Sequence, residues 1–327
     1  MNSTSIAIMG TTSWGITLGL LLAEKGIEVC LWARSAEEAE ELNQRRESPR
    51  LPGFTFPTEM RATSSLNQAL PRAGLIVLAV PAQSLRWNIR NAREHLENAQ
   101  LILSVAKGLE AETGLRMSQV IAEELPPHLI YHLCTLSGPN LAREIVRHLP
   151  AATVVAGDSE ATQQVRELLN SPRLRLEVSG DIVGVELGGA LKNVVAVGAG
   201  MVEGLGWWDN AKAAFVAQFW GEVSTLSLKA GAELDTLNGL AGLGDLIVTC
   251  FSPLSRNHQL GLEMGRGAPL KQVRTALLGV AEGVATTKGM YNLMVQLGLC
   301  LPLCQALYQV LFEAQPPAQA LGPFLSA

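Results

Sequence analysis

Residues 75–80 read LIVLAV and stop at Pro81, an apolar run with no polar face. Such a strand has to be covered on both sides, the condition met in a parallel sheet wrapped by helices. Further strand-like runs fall at 5–9, 27–32, 101–106, 129–136, 152–156 and 174–178, with helical stretches between most of them. That alternation calls for a doubly wound α/β sheet. Past about residue 180 the strand signals stop, and helices punctuated by glycine follow at roughly 183–203, 213–229, 257–265, 284–297 and 303–312. The expected division is a sheet domain over 1–180 and an all-α domain over 181–327, since a chain this long exceeds the usual single core.

The net charge of -5 argues against nucleic acid or a membrane surface as partner, because both select for basic stripes. A small anionic substrate needs only a local cluster of Lys and Arg. The most apolar long stretch, 182–208, is broken by Glu186, Lys192 and Glu203, which speaks against a membrane span. Five scattered cysteines and the lack of a charged leader with an apolar core point to a soluble cytoplasmic protein with free thiols. His128 and His132 flank strand-like sequence without a carboxylate partner, so no metal site is expected.

The first strand leads into Gly10, Thr11, Thr12, Ser13, Trp14 and Gly15. In a dinucleotide turn of the pattern G-x-G-x-x-G the first glycine makes the bend, and the third lets helix and strand pack. Gly10 and Gly15 supply these two, while Thr12 stands where the second is expected. A plain strand-to-helix turn fits the same residues. Position favours a nucleotide site, because this is the first βα junction of an alternating domain, and the sheet domain is read as Rossmann-like. At the end of the second strand Arg34 replaces the acidic residue that accepts from an NAD ribose. It suits a 2′-phosphate, and a solvated surface arginine equally.

The helical half carries the stronger chemistry. Lys192 lies inside an apolar helix behind Gly188, Gly189 and Ala190, where burial lowers an ammonium pKa and fits it for proton transfer. A lysine reaching out to solvent is the ordinary alternative. Asp245 and Thr249 follow a glycine-rich segment read as flexible, and Ser255 caps a helix at whose positive end Arg256 and Asn257 can bind a phosphate. Lys107 and the turn 137–140 sit where strands should end, the usual ligand crevice of open α/β sheets.

Taken together, the segments 106–114 (AKGLEAETG), 137–140 (SGPN), 185–193 (VELGGALKN), 241–250 (AGLGDLIVTC), 255–257 (SRN) and 280–283 (VAEG) resemble the bacterial-type NAD(P)-dependent glycerol-3-phosphate dehydrogenases, in that family's order. The resemblance implies reversible reduction of dihydroxyacetone phosphate to sn-glycerol 3-phosphate for glycerolipid synthesis, with NADPH or NADH as cofactor and a weak lean towards NADP. It implies Lys192 as proton donor and acceptor, and substrate contacts from Lys107, Gly138, Asn140, Asp245, Ser255, Arg256 and Asn257. Its cofactor contacts fall on Ser13, Trp14, Arg34, Lys107, Ala142, Arg256, Val280 and Glu282, beside Gly10 and Gly15 of the turn. A homodimer is also implied.

The sequence departs from the family at Thr12, at Gln218 in place of an arginine, and at Trp207 and Trp208 in a loop that is usually small. Local packing accounts for the tryptophans, and narrowing of a substrate entrance is the other reading. His258, next to the phosphate segment, is a candidate supporting residue. Two other functions stay open: a non-catalytic nucleotide-binding homologue, and a related dehydrogenase for another hydroxy substrate.

Overall fold

Strand β1 (Ser5–Met9) is buried from Ile6 onward and lies inside an eight-stranded sheet. The other strands are β2 (Val29–Trp32), β3 (Met60–Thr63), β4 (Ala73–Leu78), β5 (Ile102–Ser104), β6 (Leu133–Ser137), β7 (Ala151–Gly157) and β8 (Leu174–Ser179). This computed structural model describes residues 5–97, 99–277 and 279–324. The order is β3-β2-β1-β4-β5-β6-β7-β8, parallel throughout except where β7 runs against β6. Strand order reverses between β1 and β4, where Met9 pairs with both Trp32 and Leu78. Ligands of open α/β sheets bind outside the carboxyl ends of strands at such a switch point. The apolar run of β4 behaves as expected, with Leu75, Ile76, Val77 and Leu78 all buried.

Two strand expectations need correction. β3 carried no apolar run: Met60, Arg61, Ala62 and Thr63 form an edge strand with Arg61 in solvent, so periodicity did not mark it. The run at 129–136 begins too early, because Pro126 and Pro127 open a 3-10 turn, Pro127–His132, and β6 starts only at Leu133. A proline ring fixes φ and removes a ladder donor, which suits a turn and not a strand.

The chain divides into two compact units, one holding the chain to Ala106 and then Met117–Ile182, the other Lys107–Arg116 and the chain from Val183. The segment Lys107–Arg116 therefore packs with the helices although it precedes residue 180. Leu109 belongs to the helical core. Gly114, at φ +73°, turns the segment back, and Glu110 N donates to Leu115 O at 2.9 Å. Helix Glu282–Gln296 holds it: Asn292 Nδ2 donates to Ala111 O at 2.8 Å, and Gln296 Nε2 to Thr113 O at 2.9 Å.

The centre of the helical unit is Ile182–Gly204, long and apolar enough to cross a membrane by composition, yet buried over 89% of its apolar window within the protein. It crosses helix Arg256–Gly265 backbone to backbone. A Cβ at Gly261 would overlap Val197 O, one at Gly200 would overlap His258 O, and Gly204 and Gly265 meet Leu262 O and Met201 O in the same way. Two glycines one turn apart on each helix thus allow a separation that any side chain would forbid.

Candidate functional site

Lys192 is 7% exposed and lies one turn beyond Gly188 on Ile182–Gly204. A Cβ at Gly188 would stand 2.7 Å from Ala241 O, so the missing side chain lets this helix abut the turn 240–244. That turn, Leu240–Gly244, is a single π-helical turn running straight into helix Asp245–Phe251. The glycine-rich segment is therefore regular helical backbone and not a flexible loop. Wide turns of this kind commonly mark functional positions. Here the effect is to deliver the carboxylate of Asp245, itself 1% exposed, to the lysine.

Lys192 Nζ donates to Asp245 Oδ1 at 2.5 Å and to Thr249 Oγ1 at 2.7 Å. Thr249 Oγ1 in turn donates to Asp245 O at 2.7 Å, which orients its lone pairs towards the ammonium. The second oxygen of Asp245 accepts from Lys107 Nζ at 2.8 Å. An ammonium has three donors. Two of those on Lys192 are taken among the described residues, and one is left for another acceptor. Burial pushes the Lys192 pKa down to about 8, against the attraction of Asp245 and with the help of the Lys107 charge. The group can thus gain and lose a proton near neutral pH.

Two amides extend the site. Asn193 Nδ2 donates to Lys107 O at 3.3 Å, and its Oδ1 accepts from Asn257 Nδ2 at 2.8 Å. Asn257 Oδ1 then accepts from Gly283 N at 2.9 Å, at the start of Glu282–Gln296. Asn193 was not among the expected site residues, although an amide inside an apolar helix was a visible signal. Ser255 caps Arg256–Gly265 as expected, its Oγ accepting from His258 N at 3.2 Å. At Arg256, desolvation lowers the guanidinium pKa, and the attraction of the Glu282 carboxylate opposes it. The Arg256 Nη1 lies over Gly279, where a Cβ would stand 2.6 Å away. Helix 256–265 therefore sets a guanidinium beside its positive end. Beneath it, His258 Nε2 and Lys212 Nζ both meet Glu203 Oε2, at 3.0 and 2.8 Å, a network that ties three helices together.

The expected residues fall into two groups. Lys107, Lys192, Asp245, Ser255, Arg256, Asn257, Val280 and Glu282 belong to the helical unit. Gly10, Ser13, Trp14, Gly15, Arg34, Gly138, Asn140 and Ala142 belong to the sheet unit. Gly138, at φ +147°, and Asn140 follow β6 directly, and Asn140 Nδ2 donates to Thr153 Oγ1 at 3.1 Å. Ala142 opens the short helix Ala142–Ile145. Trp207 packs on the helical core, in keeping with local packing, whereas Trp208 is 80% exposed at φ 47°. Gln218 lies at the surface.

The dinucleotide turn passes a direct test of fit. Gly10 sits at φ +112°, and a Cβ there would stand 2.8 Å from Ala79 O, so only glycine serves. Thr12 fits without distortion, in extended backbone at φ -66° and ψ 157°. Its hydroxyl caps helix Ser13–Ala23 by accepting from Gly15 N at 3.1 Å and donates to Ala79 O at 2.9 Å. The threonine thus replaces the glycine as a cap. The buried indole Nε1 of Trp14 has no hydrogen-bond partner among the described residues. The start of helix Ser13–Ala23 presents the backbone N–H groups that every helix leaves unpaired at that end, and an anion such as a pyrophosphate suits them.

Comparison with known proteins agrees with both halves. The family model described as the N-terminus of NAD-dependent glycerol-3-phosphate dehydrogenase matches residues 5–163, and the model of its C-terminus matches 181–322. A glycerol-3-phosphate dehydrogenase (NAD(P)+) of Dehalococcoides mccartyi is 46% identical over 318 residues, covering 96% of this chain and 89% of that protein. Its namesake in Chlorobium chlorochromatii is 42% identical, with 97% and 96% covered. The crystal structure of glycerol-3-phosphate dehydrogenase from Coxiella burnetii is similar at a TM-score of 0.94 and 32% identity, over 99% of each chain.

Proposed function

The chain belongs to the NAD-dependent glycerol-3-phosphate dehydrogenase family, and from that premise we propose that it interconverts dihydroxyacetone phosphate and sn-glycerol 3-phosphate for glycerolipid synthesis, with Lys192 carrying the proton. NADH or NADPH is its cofactor, and when bound it supplies or accepts the hydride at C2. Arg34 tilts the choice towards NADPH. We place the enzyme in the cytoplasm, where its free cysteines stay reduced, and pair it with a second copy as the family resemblance implies.

The third donor of Lys192 carries this reading. In reduction, negative charge builds on the C2 oxygen, and the remaining N–H of Lys192 is the group that neutralises and then protonates it. In oxidation the neutral amine takes the same proton back. Asp245 holds the ammonium by one oxygen and Lys107 by the other, so two cations share one buried carboxylate and the excess positive charge faces the developing alkoxide. Arg256 and the start of its helix grip the phosphate, a handle that fixes the carbonyl in place. Asn257 and Asn193 hold that helix start against the lysine helix, and Ser255 caps it.

The substrate assignment is tested by following oxidation of NADPH and of NADH by absorbance, with dihydroxyacetone phosphate, dihydroxyacetone and a panel of keto acids. Turnover confined to the phosphorylated ketone is the expected result, and preference for a keto acid overturns it. Arg256→Gln should raise KM for dihydroxyacetone phosphate about tenfold or more, the value of a charge-assisted phosphate contact. It should leave the already poor rate with dihydroxyacetone unchanged.

The Lys192 pKa gives a pH prediction with a definite sign. Reduction needs the ammonium, so kcat/KM for dihydroxyacetone phosphate should fall as pH rises through about 8. Oxidation needs the free amine and should rise over the same interval. Because Asp245 holds the pKa up and Lys107 holds it down, Asp245→Asn should move both limbs to lower pH and Lys107→Met to higher pH. Parallel limbs for the two directions would contradict a single shared proton carrier.

A further inference from the structure

Glu186 is a carboxylate inside the apolar helix Ile182–Gly204, six positions before Lys192 and only 7% exposed. Its Oε2 accepts from Arg116 Nη1 at 2.6 Å, and the two side chains are 4% and 15% exposed. A buried ion pair is a poor source of stability, because desolvation of both charges offsets most of their attraction. Two apolar side chains of similar volume are often as stable in such a place or more so. What the pair does supply is register. An apolar contact tolerates sliding, whereas a carboxylate and a guanidinium fork fit together in one place.

The register is that of the segment 107–116, which is a tight hairpin. Leu109 and Arg116 form a bridge, and Gly114 N donates to Glu110 O at 2.9 Å. Lys107 is its first residue and Arg116 its last, so both ends continue into the sheet unit. One helix holds both ends. Glu186 takes the side chain of Arg116, and Asn193 Nδ2 donates to the carbonyl of Lys107 at 3.3 Å. Glu186 and Asn193 are seven positions apart. That spacing puts them on one face of the helix, about 10.5 Å apart along its axis. Two attachments so placed stop the hairpin from sliding or tilting, and Lys107 Nζ reaches Asp245 Oδ2 at 2.8 Å.

We propose that Arg116 and Glu186 are positioning residues of the reaction, their buried pair fixing the hairpin 107–116 on the lysine helix so that the Lys107 ammonium stays on Asp245. Both roles rest on the dehydrogenase reading, in which Lys107 is the second amine of the site. The pair acts on the reaction through charge. Lys192 faces Asp245, Lys107 and the thiol of Cys250, which burial pushes up to about 12 and so keeps neutral. Burial brings the Lys192 pKa to about 8, and the Lys107 charge contributes to the lowering. A hairpin free to slide carries that charge away from the carboxylate, and Lys192 then keeps its proton to higher pH.

The test is the pH dependence of kcat/KM for dihydroxyacetone phosphate reduction by the full-length protein, with thermal melts alongside. Arg116→Met together with Glu186→Leu removes both charges at once. No buried charge is left alone, so the unfolding midpoint should hold within about 3 °C. The alkaline limb should move upward by about half a pH unit, the direction of Lys107→Met, and kcat should fall about threefold to tenfold. Arg116→Lys keeps a charge without the fork, and its limb should lie between those of the original and the paired replacement. Added to Lys107→Met, the paired replacement should move the limb no further, because it acts through that amine. An unmoved limb in the paired replacement, or a shift that adds in full to that of Lys107→Met, overturns the proposal. Should the paired replacement not fold, an unmoved limb in Arg116→Lys overturns it by itself. If the unaltered protein does not reduce dihydroxyacetone phosphate, the dehydrogenase reading fails and takes this proposal with it. Normal turnover with an unmoved limb defeats the proposal alone.

Discussion

Lys192→Ala lowers kcat for dihydroxyacetone phosphate reduction by about 10³-fold or more, while NADPH binds as before. The size follows from two losses at one atom. General acid catalysis contributes roughly 10²–10⁴-fold, and a buried donor aimed at developing charge contributes a comparable factor. The alanine variant also leaves Asp245 with a single cation, Lys107, and with no proton source facing the substrate oxygen. Cofactor binding survives because the turn at Gly10–Gly15 belongs to the other unit. Lys192→Arg should not rescue the rate, since guanidinium does not lose a proton in this pH range. A Lys192→Ala enzyme within tenfold of the original would end the assignment of this residue.

The second large effect is structural. Gly261→Ala destabilises the protein by about 3 kcal/mol or more, because its Cβ would occupy the space of Val197 O and neither backbone can move without the other. For a domain of this size that corresponds to a fall of roughly 6–12 °C in the unfolding midpoint. The same substitution at Gly221 has the opposite sign. Gly221 is an exposed position of helix Trp208–Lys229 with nothing near its absent side chain, so alanine should add about 0.5–1 kcal/mol. Thermal melts of the two variants decide the point. Equal midpoints would mean that the helix crossing has more slack than its backbone distances allow.

What could be read from the chain follows from how local each signal is. Strand β4 and the glycine turn after β1 announce themselves within a few residues, because a two-sided strand and a left-handed bend each demand particular side chains. Strand β3 did not, since an edge strand can be half polar. Lys192 stood out because an ammonium inside an apolar, glycine-rich helix has no ordinary purpose. Its partner Asp245 was found through a motif, but the π turn that aims it has no period to detect. The Glu203 network was invisible for another reason: Glu203 and His258 are 55 positions apart, and only the helix crossing brings them together. Asn193 adjoins the lysine, and its amide inside an apolar helix is a weaker signal than the ammonium because a neutral polar group costs less to bury than a charge.

The loop Lys107–Arg116 has a consequence for how such an enzyme can be divided. It is part of the helical unit in space but arrives with the sheet in sequence, and it brings one of the two amines that share Asp245. A single cut near residue 180 would strand that amine on the wrong fragment, and a chimera joined there would graft a borrowed lysine into a foreign helical half. Recombination between relatives therefore has to carry residues 107–116 together with the C-terminal part, or match both donors at that loop. Selection on the proton-transfer centre thus reaches across the apparent boundary and couples the two parts of the gene as one inheritance.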